Sequence, residues 1–149
     1  MKIRELMSTE VYCAIPSTTV AEVAQQMKRH NVGCVPICDR DRLVGIITDR
    51  DIVIQCVAAG LDPRQCHVSQ FMTAHPISIS PDTELKDAAE LMAKEQIRRL
   101  PVVEDNRLVG LVSLGDIACA LEDDRQIANM LRRISMPIRG AVRPMTFVA

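Results

Sequence analysis

The chain repeats itself once, without a gap, at an offset of 65 residues. Arg42-Leu43-Val44-Gly45 falls on Arg107-Leu108-Val109-Gly110 letter for letter, and Gly45-Ile46-Ile47-Thr48-Asp49-Arg50-Asp51-Ile52 falls on Gly110-Leu111-Val112-Ser113-Leu114-Gly115-Asp116-Ile117. At the same offset Met7 meets Met72, Pro16 meets Pro81, Thr18 meets Thr83, Ala24 meets Ala89, Met27 meets Met92 and Pro36 meets Pro101. A repeat of this length is one structural unit written twice. Two copies imply a two-fold arrangement with two equivalent clefts. In a chain of 149 residues each copy is half the size of an ordinary domain, so each is expected to borrow core from the other.

Composition narrows the function classes. Nearly half the residues are apolar, a quarter are charged and the net charge is −1, so no global field favours nucleic acid or a membrane surface. Tyr12, Phe71 and Phe147 are the full aromatic set, which argues against base-stacking platforms. No apolar run approaches the roughly 18 residues of a membrane span, and Met1-Lys2-Ile3-Arg4-Glu5-Leu6 lacks a signal-peptide core. A cytoplasmic location and six reduced thiols are therefore expected. Cys34-x3-Cys38 is the one close cysteine pair, but the second copy has Arg99 and Val103 there, so buried small hydrophobes are expected and no metal site. His30, His67 and His75 occupy unrelated repeat positions.

Each copy reads in one order: a polar lead-in (2–8; 68–73), a brief strand (11–14; 77–79), a proline, a helix, two short strands and a last helix. Thr18 or Thr19, and Asp82 or Thr83, are candidate caps for the first helix of each copy. Val20, Val23, Ala24 and Met27, and then Leu85, Ala88, Ala89, Leu91 and Met92, form stripes of helical period. Asp39 to Arg42 and Glu104 to Arg107 have hairpin length. The last helices start near Asp49 and Leu114, the first stopping near Gly60. The expected fold is α+β: two β-α-β-β-α repeats (2–60 and 68–122), a linker at 61–67, and a helix with tail at 123–149. Ile127, Met130, Leu131 and Ile134 mark that added helix.

The signature present in both copies is Gly-x-x-[Thr/Ser]-x-x-Asp, at the junction of last strand and last helix. Gly45 and Gly110 lack a Cβ and permit close approach. Thr48 and Ser113 stand at a helix N-terminus, where a hydroxyl, free N–H groups and the dipole favour a phosphate or sugar oxygen. Asp51 and Asp116 lie one turn on; a carboxylate accepting two hydrogen bonds suits a vicinal diol such as ribose. The same residues also make a capping box, with Asp reaching back to the cap. Their occurrence at equivalent repeat positions favours a site.

With the Met7-Ser8 and Met72-Thr73 lead-ins, the Pro16 to Thr18 and Pro81 to Thr83 helix openings, and the Val35-Pro36-Ile37 and Leu100-Pro101-Val102 strands, these endings make an ordered set written twice. In it the chain resembles a tandem pair of CBS domains, the regulatory module named after cystathionine β-synthase. The resemblance implies two repeats packed sheet to sheet with pseudo-two-fold symmetry. It also implies clefts for adenosine-containing ligands: AMP, ADP or ATP first, S-adenosylmethionine or NAD-type molecules second. By the same resemblance Asp51 and Asp116 hold ribose, Thr48 and Ser113 help hold ribose or phosphate, and Arg98 and Arg99 face phosphates. Backbone around Pro36 and Pro101 flanks adenine, and Ser78 stands near the ligand.

The copies differ where ligands are expected. Gly33-Cys34 replaces Arg98-Arg99, Cys13 replaces Ser78, and Arg50 stands opposite Gly115. Unequal clefts follow. No nucleophile or acid–base set is clustered, so a sensor with no catalytic residues and no required cofactor is expected, acting through a homodimer and a regulated protein. The alternative is an interaction scaffold with vestigial clefts. A third reading, nucleic-acid binding by Arg125, Arg132, Arg133, Arg139 and Arg143, has Glu122-Asp123-Asp124 just upstream against it.

Overall fold

The computed structural model of the chain describes residues 1–137. Helix α1 (Val20–His30) leads into the hairpin β1 (Cys34–Asp39) and β2 (Arg42–Thr48), and α2 (Asp49–Asp51) continues as π-helical turns over Ile52–Val57. The second copy begins with β3 (Thr73–Ala74) and gives α3 (Leu85–Glu95), β4 (Arg99–Glu104), β5 (Arg107–Ser113) and α4 (Leu114–Ala120); α5 (Asp124–Ser135) follows. This is the expected α+β arrangement, with the helix expected beyond 123 in place. Arg139 and Arg143, and the tail expected after Pro137, lie outside the described residues.

The two hairpins are built alike. Each is antiparallel, turns over two residues, and shifts register at the same repeat position, between Ile37 and Cys38 and between Val102 and Val103. Arg40 in the first turn, and Asp105 and Asn106 in the second, take positive φ, the backbone that tight hairpin turns demand. β2 and β5 face one another, and the two turns meet: Leu108 donates to the Asp41 carbonyl at 2.9 Å.

The brief strands expected at 11–14 and 77–79 shrink to single parallel bridges, Ala14 with Ile37 and Ile79 with Val102. Ala14 N–H donates to Pro36 O at 3.0 Å and Cys38 N–H to Ala14 O at 2.8 Å. The next rungs would need an N–H from Pro36 on one side and from Pro16 on the other. Neither proline has one, so the ladder stops after one residue. Pro81 and Pro101 stop the second copy's ladder in the same way.

Each lead-in crosses to the opposite repeat. Ile3 N–H donates to Thr83 O, Leu85 N–H donates to Met1 O, and Ser8 bridges Leu111. Reciprocally, Val20 N–H donates to Cys66 O, Thr19 bridges His67, and β3 adds to the edge of β2 through Gly45–Ala74 and Ile46–Thr73. The cores follow this exchange. Val20, Val23, Val35, Ile37 and Ile47 enclose Cys66 and Val68, while Leu85, Met92, Leu100, Val102 and Ile117 enclose Ile3. The segment 61–67, expected to link the repeats, therefore ends inside the first core. α5 closes the second cluster with Met130 and Ile134, leaving Leu131 exposed. Among the described residues no polar or charged side chain is fully buried.

The helix starts differ. Of the two expected caps, Thr18 and Thr19, it is Thr19 that caps α1, in a capping box with Glu22. At α3 the cap position is Glu84, with no side-chain cap bond; Asp82 instead accepts from Lys2 and Arg4 of the crossed lead-in. Gly60, with φ +71°, stands where the first copy's last helix was expected to stop.

Candidate functional site

Two clefts open where the repeats meet, and their walls correspond at the 65-residue offset. The first, about 370 Å³, has Thr48 and Asp51 on one side and Ile77, Arg98, Arg99 and Pro101 on the other. The second, about 690 Å³, sets Ser113 and Asp116 against Tyr12, Val32 and Cys34. Both sizes suit small-molecule pockets. Arg99 and Cys34 line both clefts.

The [Thr/Ser]-x-x-Asp pairs are capping boxes in fact. Asp51 N–H donates to Thr48 Oγ1 at 3.1 Å while Thr48 N–H donates to Asp51 Oδ2 at 2.9 Å. Asp116 N–H donates to Ser113 Oγ at 3.1 Å while Ser113 N–H donates to Asp116 Oδ2 at 2.8 Å. The cap uses one carboxylate oxygen. Oδ1 of Asp51 and of Asp116 accepts no hydrogen bond among the described residues, and both aspartates line their clefts. Cap and ligand reading are thus compatible: the box holds the carboxylate through one oxygen and leaves the other without a partner among the described residues.

The remaining expected residues stand elsewhere. At Gly45 a Cβ would run into the Met72 side chain; at Gly110 it would come within 2.8 Å of Met7 Sδ and 2.9 Å of the Ser8 carbonyl oxygen. The close approach that these glycines permit is therefore made by the crossed lead-ins, not by the cleft. Pro36 is buried, and its structural part is to end the one-residue ladder. Ser78 is exposed beside the cleft-lining Ile77, and Arg50 is exposed and outside both linings. The thiol at Cys13, the counterpart of Ser78, lies against Cys38. The thiol–thiol contact lowers the Cys13 thiol's pKa, while Cys38 is pushed up by the same contact and by burial.

Other lining residues carried no signal in the motifs. Glu10 and His75 occupy equivalent positions in the two clefts, as do Tyr12 and Ile77. Tyr12 stacks on His30, with ring centroids 5.6 Å apart and planes 20° from parallel. Burial raises the Tyr12 phenol's pKa and Glu22 adds to the effect. Burial also pushes the Cys34 thiol up to about 11, partly opposed by Arg99, so a neutral thiol faces both clefts at neutral pH. Among the described residues no three His, Cys, Asp or Glu side chains are grouped to hold a metal ion. No helix there is long and apolar enough to cross a membrane.

Comparison with known proteins identifies the repeats. The sequence pattern of the CBS domain matches residues 3–57 and 68–123. The CBS domain-containing protein YhcV of Bacillus subtilis is 41% identical over 133 residues, covering 89% of this chain and 94% of its own length. The crystal structure of Hypoxic Response Protein I with two coordinated zinc ions has a TM-score of 0.75 at 38% identity, covering 81% of this chain and 99% of that one. The crystal structure of CBSX2 in complex with AMP has a TM-score of 0.72 at 25% identity, covering 80% and 95%.

Proposed function

Because the chain belongs to the CBS-domain family, as a tandem pair, we propose that it is a regulatory sensor of adenine nucleotides that performs no catalysis itself. The observation that carries this reading is the pair of inter-repeat clefts, each presenting the free oxygen of a capped aspartate. Asp51 and Asp116 hold the ribose diol; Arg98 and Arg99 face phosphate in the Asp51 cleft. AMP, ADP or ATP fits this set, and a relative of this fold is known in complex with AMP. The nucleotide draws on both repeats at once, so binding favours one relative placement of the two and alters contacts with a second copy or a regulated protein.

Isothermal titration and thermal melting with AMP and ATP test this. Binding and a raised melting temperature are expected, with each site lost separately in Asp51→Ala and Asp116→Ala. Absence of heat and of any melting shift with both nucleotides at millimolar concentration would refute it.

One observation favours the scaffold alternative as a second reading. Val53, Ile54 and Val57, close together on the π-helical turns, are 56%, 50% and 60% exposed. Self-association that persists in the Asp51→Ala/Asp116→Ala double variant, without any ligand response, supports that reading over the sensor. The nucleic-acid reading loses one of its cations: Arg133 donates to Glu90 Oε2 at 2.7 Å within the chain.

A further inference from the structure

We infer that the two clefts sort ligands by charge: the Asp51 cleft takes the phosphate-bearing nucleotide, and the Asp116 cleft takes an adenosine whose 5′ end is uncharged or cationic. This rests on the adenine-nucleotide reading and adds to it the chemical class that each cleft accepts.

Most positions of the two walls correspond at the repeat offset, so the charged residues of one can be compared with their counterparts in the other. Arg98 lines the Asp51 cleft, and its counterpart at the repeat offset, Gly33, is absent from the lining of the other. Gly33 has no side chain to offer the cleft, and a Cβ there would meet the Asp49 carboxylate, Oδ2 lying 2.9 Å away; neither residue lines the Asp116 cleft. The counterpart of Asp49 is the uncharged Leu114. His75 of the Asp51 cleft is replaced by Glu10. The Asp51 cleft therefore sets two arginines against one aspartate, while the Asp116 cleft sets Glu10 and Asp116 against Arg99 alone.

Arg99 is the cation common to both. Its Nη1 donates to the Arg98 carbonyl at 3.0 Å, which ties the guanidinium to the strand edge that carries Arg98. A phosphate in the Asp51 cleft draws Arg99 toward itself, and the Asp116 cleft is then left with carboxylates only. Within a cleft a few ångströms across, opposite charges attract and like charges repel by amounts that ions in solution only partly screen. The larger volume of the Asp116 cleft imposes no steric bar to a nucleotide, so charge is the term that separates the two.

Three ligands that differ only at the 5′ carbon test this on the full chain: AMP, adenosine and 5′-amino-5′-deoxyadenosine. Calorimetry in Asp51→Ala isolates the Asp116 cleft, and in Asp116→Ala the other. At the Asp116 cleft the expected order is amine, then adenosine, then AMP, with about tenfold between the extremes; at the Asp51 cleft the order reverses. Glu10→Lys is expected to raise AMP affinity at the Asp116 cleft about three- to tenfold and to leave the Asp51 cleft unchanged. Equal AMP affinity in both clefts, insensitive to Glu10→Lys, overturns the sorting while leaving the nucleotide reading intact. No binding of any of the three ligands to the unmodified chain overturns both.

Discussion

Asp51 and Asp116 each cap a helix and line a cleft, and asparagine separates the cap from the proposed ligand role. The amide oxygen of Asn still accepts from the cap N–H, whereas the other atom becomes a donor or loses its charge. Asp51→Asn and Asp116→Asn are expected to keep stability within about 0.5 kcal/mol and to lose at least about tenfold in nucleotide affinity, whereas the alanine variants also lose about 1 kcal/mol of stability. Chemical denaturation paired with calorimetry reads both quantities; equal losses of stability in Asn and Ala would mean that the carboxylate serves the cap alone. The glycines answer to a different constraint. Gly110→Ala places a methyl against the Ser8 carbonyl, a backbone atom that cannot swing aside, and is expected to destabilise by about 1–3 kcal/mol in denaturant melts without a specific loss of ligand. The aspartate signature was legible in the sequence because it recurs at the repeat offset. The purpose of the glycines was not: Met7 and Met72 also recur, but nothing in a linear pattern says that each methionine sits over the other copy's glycine.

Helices and hairpins were legible because period and turn chemistry are local. The stripes in α1 and α3 face the cores as expected, and Met130 and Ile134 seat α5. The brief first strands were overestimated, since the deciding fact is two missing N–H groups on partners about twenty residues apart. α5 gains a non-local anchor as well: Gln96 Nε2 donates to the carbonyls of Arg133 and Met136, both at 3.0 Å. Gln96 is the left-handed cap of α3 and lies two residues before Arg98. Gln96→Ala is expected to cost about 1–2 kcal/mol and to speed amide exchange at the C-terminal turn of α5, seen by hydrogen exchange; unchanged protection there would show that Met130 and Ile134 suffice to hold it.

At the scale of the whole molecule the crossed lead-ins decide behaviour. Arg4, and then Lys2 on the same segment, hold the Asp82 carboxyl below the ordinary carboxylate range, and Arg133 does the same for Glu90. A carboxylate with a depressed folded pKa stabilises the fold above its unfolded pKa, and that contribution disappears as pH falls through the folded value. Melting temperature is therefore expected to drop between about pH 5 and about pH 3, and Asp82→Asn to shallow that drop. The exchange also redefines what a minimal repeat is. Ile3→Ala, at a fully buried position in the second core, is expected to cost about 2–5 kcal/mol although the residue lies far from that repeat in sequence. A fragment spanning residues 9–76 holds the first repeat with its borrowed Cys66–Ala74 segment and is expected to show more helix by circular dichroism than residues 1–60, which lack it. The same crossing sets how the protein yields to force. Tension applied at residue 1 does not load the repeat that follows it in sequence. It peels Met1 from Leu85 and draws Ile3 out of the second core, so the far repeat gives way first while the near one is still clasped by its own half of the exchange.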